Sequence, residues 1–342
     1  MSDLRRITTI NIETNTFYGN TNIVNVDCNY TPWQNNSMHS AFMGCHNLKS
    51  VNNINNNVNN MTYTFYHCHN LTNVSSIPNS VQNMIATFYT CTNLINAPVI
   101  SDSVISMNDT FYNCYNLTNV PSIPNSVQDM IGTFRNCTSL VNAPIIPNSV
   151  IYMAFTFDRC TNLTNVPSIP NSVQNMAGTF EGCTNLINTP VIPDSVKDVM
   201  YLFNGCTNLI NGTSILNNNI TSLGNTFRNC INLTGDIYIY SEKISDLTLA
   251  FAGTSKIKNV YIPFNNAGIN TITYNTFISA GYTSTGTKEG VYLKDLNESP
   301  VPPTPSDEID VTDYTYTQDE NGVVTLSNAP IDENGEVIFP NI

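Results

Sequence analysis

Eight cysteines stand 23 residues apart, at positions 45, 68, 91, 114, 137, 160, 183 and 206, and Cys230 follows after 24. A period held this strictly over nearly 200 residues leaves room for one kind of fold, a stack of equal coils. The residues around each cysteine keep the same register. Each lies three after a Phe, from Phe42 to Phe227, and three before a Leu, from Leu48 to Leu233. A Met stands four before the Phe from Met38 to Met176, and a Val and then an Ile follow the Leu, as at Leu117, Val120 and Ile123. The unit reads S-V-x-x-M-x-x-T-F-x-x-C-x-N-L-x-N-V-P-x-I-P-N.

The apolar spacings of three and four, with Pro on both sides of the Ile, break any helix longer than about two turns. They also break the strict alternation of a long strand. A short strand, a turn and a helical or 3₁₀ turn per coil fit better, with coils stacked about 4.8 Å apart. One coil cannot bury its own apolar face, so the stack is the stable object. Phe17 and Ile23 fit a degenerate first coil, Phe251 and Ile257 a late coil without Cys, and Phe277 a distorted last one. End coils depart from the consensus because they shield the core.

Units of the form V-x-x-M-x-x-x-F-x-x-C-x-x-L, here Val58 to Leu71, resemble the BspA-like leucine-rich repeats. The resemblance covers roughly residues 35 to 262. It implies a leucine-rich-repeat-like β-solenoid, expected here with about 10 to 12 coils and a small C-terminal β segment. It also implies a protein of bacterial, protist or bacteriophage surfaces, many such proteins being linked to adhesion. The divisions expected are a cap with a degenerate coil at 1–28, the solenoid at 29–262, a capping coil at 263–298, a Pro-rich linker at 299–306 and an acidic β-like docking segment at 307–342. A second period pairs the coils. Thr118–Gln128 and Thr164–Gln174 share one form, and Val141–Pro147 carries the other, so the array reads as a duplicated 46-residue pair.

Charge excludes several functions. Only 11% of residues are charged, and none lies between Lys49 and Asp102. Of the 25 acids, eleven fall from Asp295 onward with no Lys or Arg, which leaves fourteen against twelve bases in the solenoid. No basic stripe collects phosphates, so nucleic acid is not an expected partner. No apolar run follows Met1–Ile7, and no stretch approaches the roughly 18 residues of a membrane-spanning helix, so neither a secretory signal nor membrane insertion is expected.

Four groups of residues invite a chemical reading. The cysteines sit between a core Phe and a core Leu in every coil, which points to buried, reduced thiols; Cys28 falls outside the register and reads as the odd thiol. His46, His67 and His69 flank Cys45 and Cys68, but the repeat turns those cysteines inward, so no metal site and no cofactor are expected. Asparagine columns at 70, 93, 116, 162, 185 and 208, and from 73 to 211, suit amide ladders between coils. The column after the Phe is different. It holds Tyr66, Tyr89 and Tyr112, then Arg135, Asp158 and Glu181. Packing does not demand these residues, so the tyrosines, with His67 and His69 beside them, are the candidate binding stripe for a protein or surface-glycan receptor.

Beyond the Pro-rich stretch, Tyr314–Gln318 and Val323–Ser327 flank Asp319-Glu320-Asn321-Gly322, a hairpin signal, and a second such turn stands at 332–335. About 36 residues bury little core alone, so this piece is expected to dock on other structural proteins of the same assembly. No catalytic constellation emerges. The expected function is a non-enzymatic recognition solenoid on a bacteriophage particle, at tail, baseplate or head. A bacterial or protist cell-surface adhesin is the alternative, and a glycan-active enzyme a more distant one.

Overall fold

Alternate backbone N–H groups in each Met-to-Cys stretch point in opposite directions, and this builds the solenoid. In a computed structural model, Met130, Gly132, Phe134 and Asn136 donate to the carbonyls of Tyr152, Ala154, Thr156 and Asp158 in the next coil, at 2.7 to 2.9 Å. The residues between them, Thr133, Arg135 and Cys137, donate three residues back to Met130, Gly132 and Phe134 at 2.9 to 3.1 Å. A helix would turn every N–H along its own axis. Here every second one ties two coils together.

The structure describes residues 15–28, 36–166, 168–210, 219–241, 243–244, 246–254 and 256–262, and four later strands. No α-helix occurs among them, so the helical turns expected from the sequence give way to hydrogen-bonded turns. The reason is local. Two positions in each coil are left-handed, as in Tyr63 and His67 (φ 56° and 59°), Ala86 and Thr90 (48° and 59°), and Phe155 and Arg159 (55° and 56°). A positive φ at the third position of a turn stops helix propagation and re-aims the next N–H. Glycine is required at Gly178 (φ 58°), where a Cβ would overlap the ring of Phe155 in the preceding coil.

Between the turns lie short parallel contacts. Strands β1 (Asn25–Asp27), β2 (Ser50–Asn52) and β3 (Asn73–Val74) form one parallel sheet. Farther along, β4 (Gly235–Tyr238), β5 (Ile257–Ile262) and β7 (Val291–Asp295) are parallel, and β6 (Thr287–Lys288) closes that sheet antiparallel to β7. Single bridges continue the pattern on a second side, from Ser37 through Asn60, Asn83, Ser106, Asp129, Tyr152 and Asn175 to Asp198. In that column Asn60, Asn83, Asp129, Asn175 and Asp198 each accept from the backbone N–H two residues on, fixing the entry to the turn.

The core follows the repeat. Eleven rings from Phe17 to Phe251 stack with centroids 5.2 to 5.8 Å apart. Met, Leu and Val columns bury beside them. The Thr and Cys side chains of this core are paired with backbone carbonyls. Thr133 Oγ1 lies 2.9 Å from Met107 O and 2.8 Å from Met130 O, so one hydroxyl joins two coils. The Cys137 thiol donates to Phe111 O in the preceding coil at 3.2 Å, and the same bond recurs from Cys45 to Cys230.

All ten cysteines, Cys28 among them, are buried thiols outside any disulfide. Cys28 is therefore no exception: burial pushes it up to about 12, with Asp27 adding to the shift, and burial likewise pushes Cys45 up to about 11.

The chain divides into two compact units, Met1–Asn297 and Glu298–Ile342. In the second, β8 (Thr315–Gln318) and β9 (Val324–Ser327) pair antiparallel in the register of a hairpin. Phe277, the Pro-rich linker and the second tail turn lie outside the described residues.

Truncating the central ring, Phe134→Ala, is expected to cost about 3–5 kcal/mol in unfolding free energy by chemical denaturation; a loss under about 1 kcal/mol would show that the ring stack is not the core. Thiol titration of the folded chain at neutral pH should find almost no reactive cysteine and, after denaturation without reductant, ten. Several missing thiols in the denatured count would reveal disulfides and contradict the buried columns.

Candidate functional site

The five residues singled out from the sequence come together on one end of the solenoid. The rings of Tyr66 and Tyr89, and of Tyr89 and Tyr112, stack at 4.5 Å with interplanar angles of 13° and 9°. His67 stands edge-on against Tyr66 at 4.4 Å, and His69 lies 5.5 Å from His67. Coil spacing explains the arrangement. Side chains on equivalent positions of stacked coils are brought about 4.8 Å apart, close to the stacking distance of aromatic rings. The three tyrosines are thus half-buried and turn their faces on one another, with side-chain hydrogen bonds running from Tyr66 to Tyr89 and from Tyr89 to Tyr112.

The patch is larger than the column after the Phe. Tyr63 packs edge-on against Tyr66 at 5.6 Å, His39 against Tyr63 at 5.7 Å, and His46 stacks on His69 at 5.0 Å. Tyr63 escaped the sequence reading because it occupies a left-handed turn position (φ 56°), where a large side chain is not expected. His46 Nδ1 lies 2.9 Å from His67 O, which makes that nitrogen a donor. Burial, then His69 and His46, hold His67 below its ordinary range, so its ring is neutral at pH 7. Burial, then neighbouring Tyr112, pushes Tyr89 up to about 12, so its hydroxyl keeps its proton and can donate. Among the described residues no group of three or more His, Cys, Asp or Glu is arranged to hold a metal ion.

The tyrosine stack runs on into charge. The Arg135 guanidinium lies 5.3 Å from the Tyr112 ring centroid and 5.2 Å from that of Phe155. Its Nε lies 2.6 Å from Asp158 Oδ2, and Arg159 approaches Asp158 Oδ1 at 3.8 Å. Farther along, Asn204 donates to Glu181 Oε1 at 2.9 Å. Contacts run unbroken along the column from Tyr66 to Asp158, and a separate pair joins Glu181 to Asn204, so the column begins aromatic and ends polar. The Asp158 side chain is buried, and burial pushes its carboxyl up to about 6 although Arg135 opposes the shift.

On another side, the amide ladder forms in part. Asn93 donates to Asn70 at 3.1 Å, Asn165 to Asn142 at 3.0 Å and Asn208 to Asn185 at 3.4 Å. Beside it, a groove of about 550 Å³ runs between Asn185, Asn208 and Asn232 and the column Thr164, Ile187, Ile210 and Thr234, with Lys256 at one end.

The fold defines a leucine-rich-repeat solenoid. The sequence profile of the BspA type Leucine rich repeat region matches six copies, over residues 6–118, 104–234 and 155–284. The chain belongs to the BspA-type leucine-rich-repeat family. No curated protein matches it. Solved structures that it resembles include a leucine rich cell surface protein from Faecalibacterium prausnitzii A2-165, at 22% identity over 75% of this chain and 77% of that one, TM-score 0.47. A leucine-rich repeat protein from Bacteroides ovatus matches at 17% identity over 84% and 94%, TM-score 0.34. The T. pallidum Leucine Rich Repeat protein matches at 26% identity over 54% and 71%, TM-score 0.34.

Asp158 yields a pH test. Its folded pKa, about 6, is above the ordinary 3.8, so the folded state binds the proton more tightly. Its contribution to stability is full below about pH 4 and is lost as pH rises through about 6. Asp158→Asn should flatten that part of the stability–pH curve measured by urea unfolding. An unchanged slope between those values would place the titration elsewhere.

Proposed function

We propose that this chain is a non-enzymatic recognition solenoid, and that the ridge led by Tyr66, Tyr89 and Tyr112, with His67 and His69 beside it, contacts a protein or surface-glycan receptor. One observation carries the reading. The core columns repeat the same side chains in coil after coil, whereas the column after the Phe changes from aromatic to charged along the stack and is still continuous through direct contacts. A surface that differs from coil to coil on a frame that does not is suited to reading a partner. Leucine-rich-repeat proteins in general bind proteins or other ligands through such surfaces. Because ring faces are occupied by stacking, the partner is met by tyrosine edges and hydroxyl groups, and by the charges beyond Arg135.

Two surfaces suit such a chain. A bacteriophage particle fits an array that lengthens by duplication and carries a separate acidic tail. A bacterial cell surface fits the BspA-type family, whose members are largely surface proteins, and of the two it is the placement that the family supports. In either, residues 307–342 serve as the docking segment, since exposed strand edges such as those of a lone hairpin seek pairing with a partner sheet.

One attachment assay tests both parts, using labelled full-length chain on bacterial cells. The triple variant Tyr66→Phe, Tyr89→Phe and Tyr112→Phe keeps the stack and the melting temperature but should lower attachment at least about tenfold, the loss of hydrogen bonds worth roughly 1.4 kcal/mol or more. The Ala triple variant is a poorer probe, because each stacked pair contributes about 0.5–1.5 kcal/mol to stability. Full attachment by the Phe variant would reduce the ridge to packing. Truncation after Ser299 should leave attachment and circular dichroism intact but free the solenoid from the particle or envelope that displays it. Loss of attachment with assembly retained would reverse these roles.

A further inference from the structure

Over six consecutive coils one side of the solenoid carries no charge. From each Cys to the seventh residue after the following Leu, the coils at 68–78, 91–101, 114–124, 137–147, 160–170 and 183–193 contain no Asp, Glu, Lys or Arg. The charges of these coils, such as Asp109, Asp129, Arg135, Asp158, Glu181 and Lys197, all fall in the other half of the turn. On the uncharged side the 46-residue pairing becomes a relief. Val99, Ile145 and Val191 stand 71%, 78% and 75% exposed, far beyond a normal surface aliphatic, and each belongs to every second coil. Ile95, Val141 and Ile187 stand beside them in the same coils, 44% to 51% exposed. The intervening coils place Ser76, Ser122 and Ser168 at the position of the knobs. The result is a row of apolar knobs about 9.6 Å apart, two coil spacings, separated by small polar notches.

We propose that this strip is a self-association surface on which a second copy of the chain docks antiparallel, seating Val99, Ile145 and Val191 of each copy over Ser168, Ser122 and Ser76 of the other. The occupant follows from period, charge and area. A two-fold contact sets a patch against itself, and an even row that alternates notch and knob is complementary to its own reverse in full register. A foreign partner would have to match a two-coil spacing that a second copy has by construction. Identical charged patches repel, but this strip brings no charge to meet its equal and strands none away from water. Six coils at about 4.8 Å by five residues at about 3.3 Å give about 475 Å² of footprint per copy, or about 950 Å² for the pair before the ridges are counted, near the lower limit for a specific interface.

The test is the mass of the full chain by sedimentation equilibrium at about 100 µM, a concentration at which an interface with a Kd of about 10 µM pairs most chains. A dimer is expected. Ile145→Lys, at the centre of the row, or Val99→Lys near one end, should raise the dimer Kd at least about 100-fold by burying an unpaired ammonium group. Ile105→Lys, an equally apolar residue 45% exposed on the other side, should leave the dimer unchanged. The register is read with a Val99→Cys and Ser168→Cys double variant. The two positions are three coils apart in one chain, too far for an internal disulfide, so mild oxidation should give a covalent dimer. A monomeric wild-type chain overturns the proposal, and if Ile145→Lys then loses cell attachment the row belongs to a foreign partner. A dimer that survives both Lys variants also overturns it.

Discussion

The hydrogen bond from each Phe N–H to a carbonyl in the next coil is the contact on which the other columns depend. It sets the Phe rings in register at 5.2 to 5.8 Å, so that they stack rather than interdigitate. The Phe and Met carbonyls face a dry interior, where each already accepts the backbone N–H three residues on and has a second lone pair left to satisfy. The Thr before the Phe and the Cys after it meet that need. The hydroxyl reaches the Met carbonyls of two coils, and the thiol reaches the Phe carbonyl of the coil before. Cysteine is retained here as a small apolar side chain with a weak donor, which explains why it repeats without forming disulfides or binding metal. Where the Thr is replaced, as by Leu202, the backbone bond from Phe180 to that residue persists at 3.0 Å. The ladder tolerates loss of one polar link because its neighbours hold the register.

The core was legible in the sequence because its signal is a spacing. Phe, Cys, Leu, Met and Val recur at fixed offsets, and burial follows those offsets from Met38 to Cys230. The turns were not legible, for a definite reason. Left-handed positions are ordinarily announced by Gly or Asn, but here Tyr63, Thr90, Phe155 and Tyr201 also carry positive φ. The intercoil bonds and the buried stack around them outweigh the local preference, and no residue pattern reports that balance. The same holds for the column of Asn60, Asn83 and Asp129, whose side chains cap turns that had been expected to be helical.

The candidate site shows a second limit of the same kind. Sequence spacing places Tyr66, Tyr89 and Tyr112 on one line about 5 Å apart, and at that distance rings satisfy each other before they satisfy a ligand. A column of identical aromatics on a solenoid is therefore first a stabilising stack and only at its edges a binding surface. Arg135 next in line continues the stack over Tyr112 and at the same time neutralises Asp158. Substituting charge for aromatic along the column changes what a partner meets while every coil still touches the next.

The two sides of the solenoid also respond differently to growth of the array. Insertion of a single 23-residue coil preserves the Phe, Cys and Leu columns, because all coils share those offsets. It would nevertheless place two knob coils or two notch coils side by side on the uncharged face, since the exposed position alternates between Val99 or Ile145 and Ser122 or Ser168. Insertion of a 46-residue pair preserves both. The pair is also written into the packing, where Ala97, Val120, Ala143 and Val166 alternate against the core and the bridges Asn96–Asn119 and Asn142–Asn165 join coils two by two. The 46-residue unit is thus the step by which the array keeps both its intercoil packing and its outer relief.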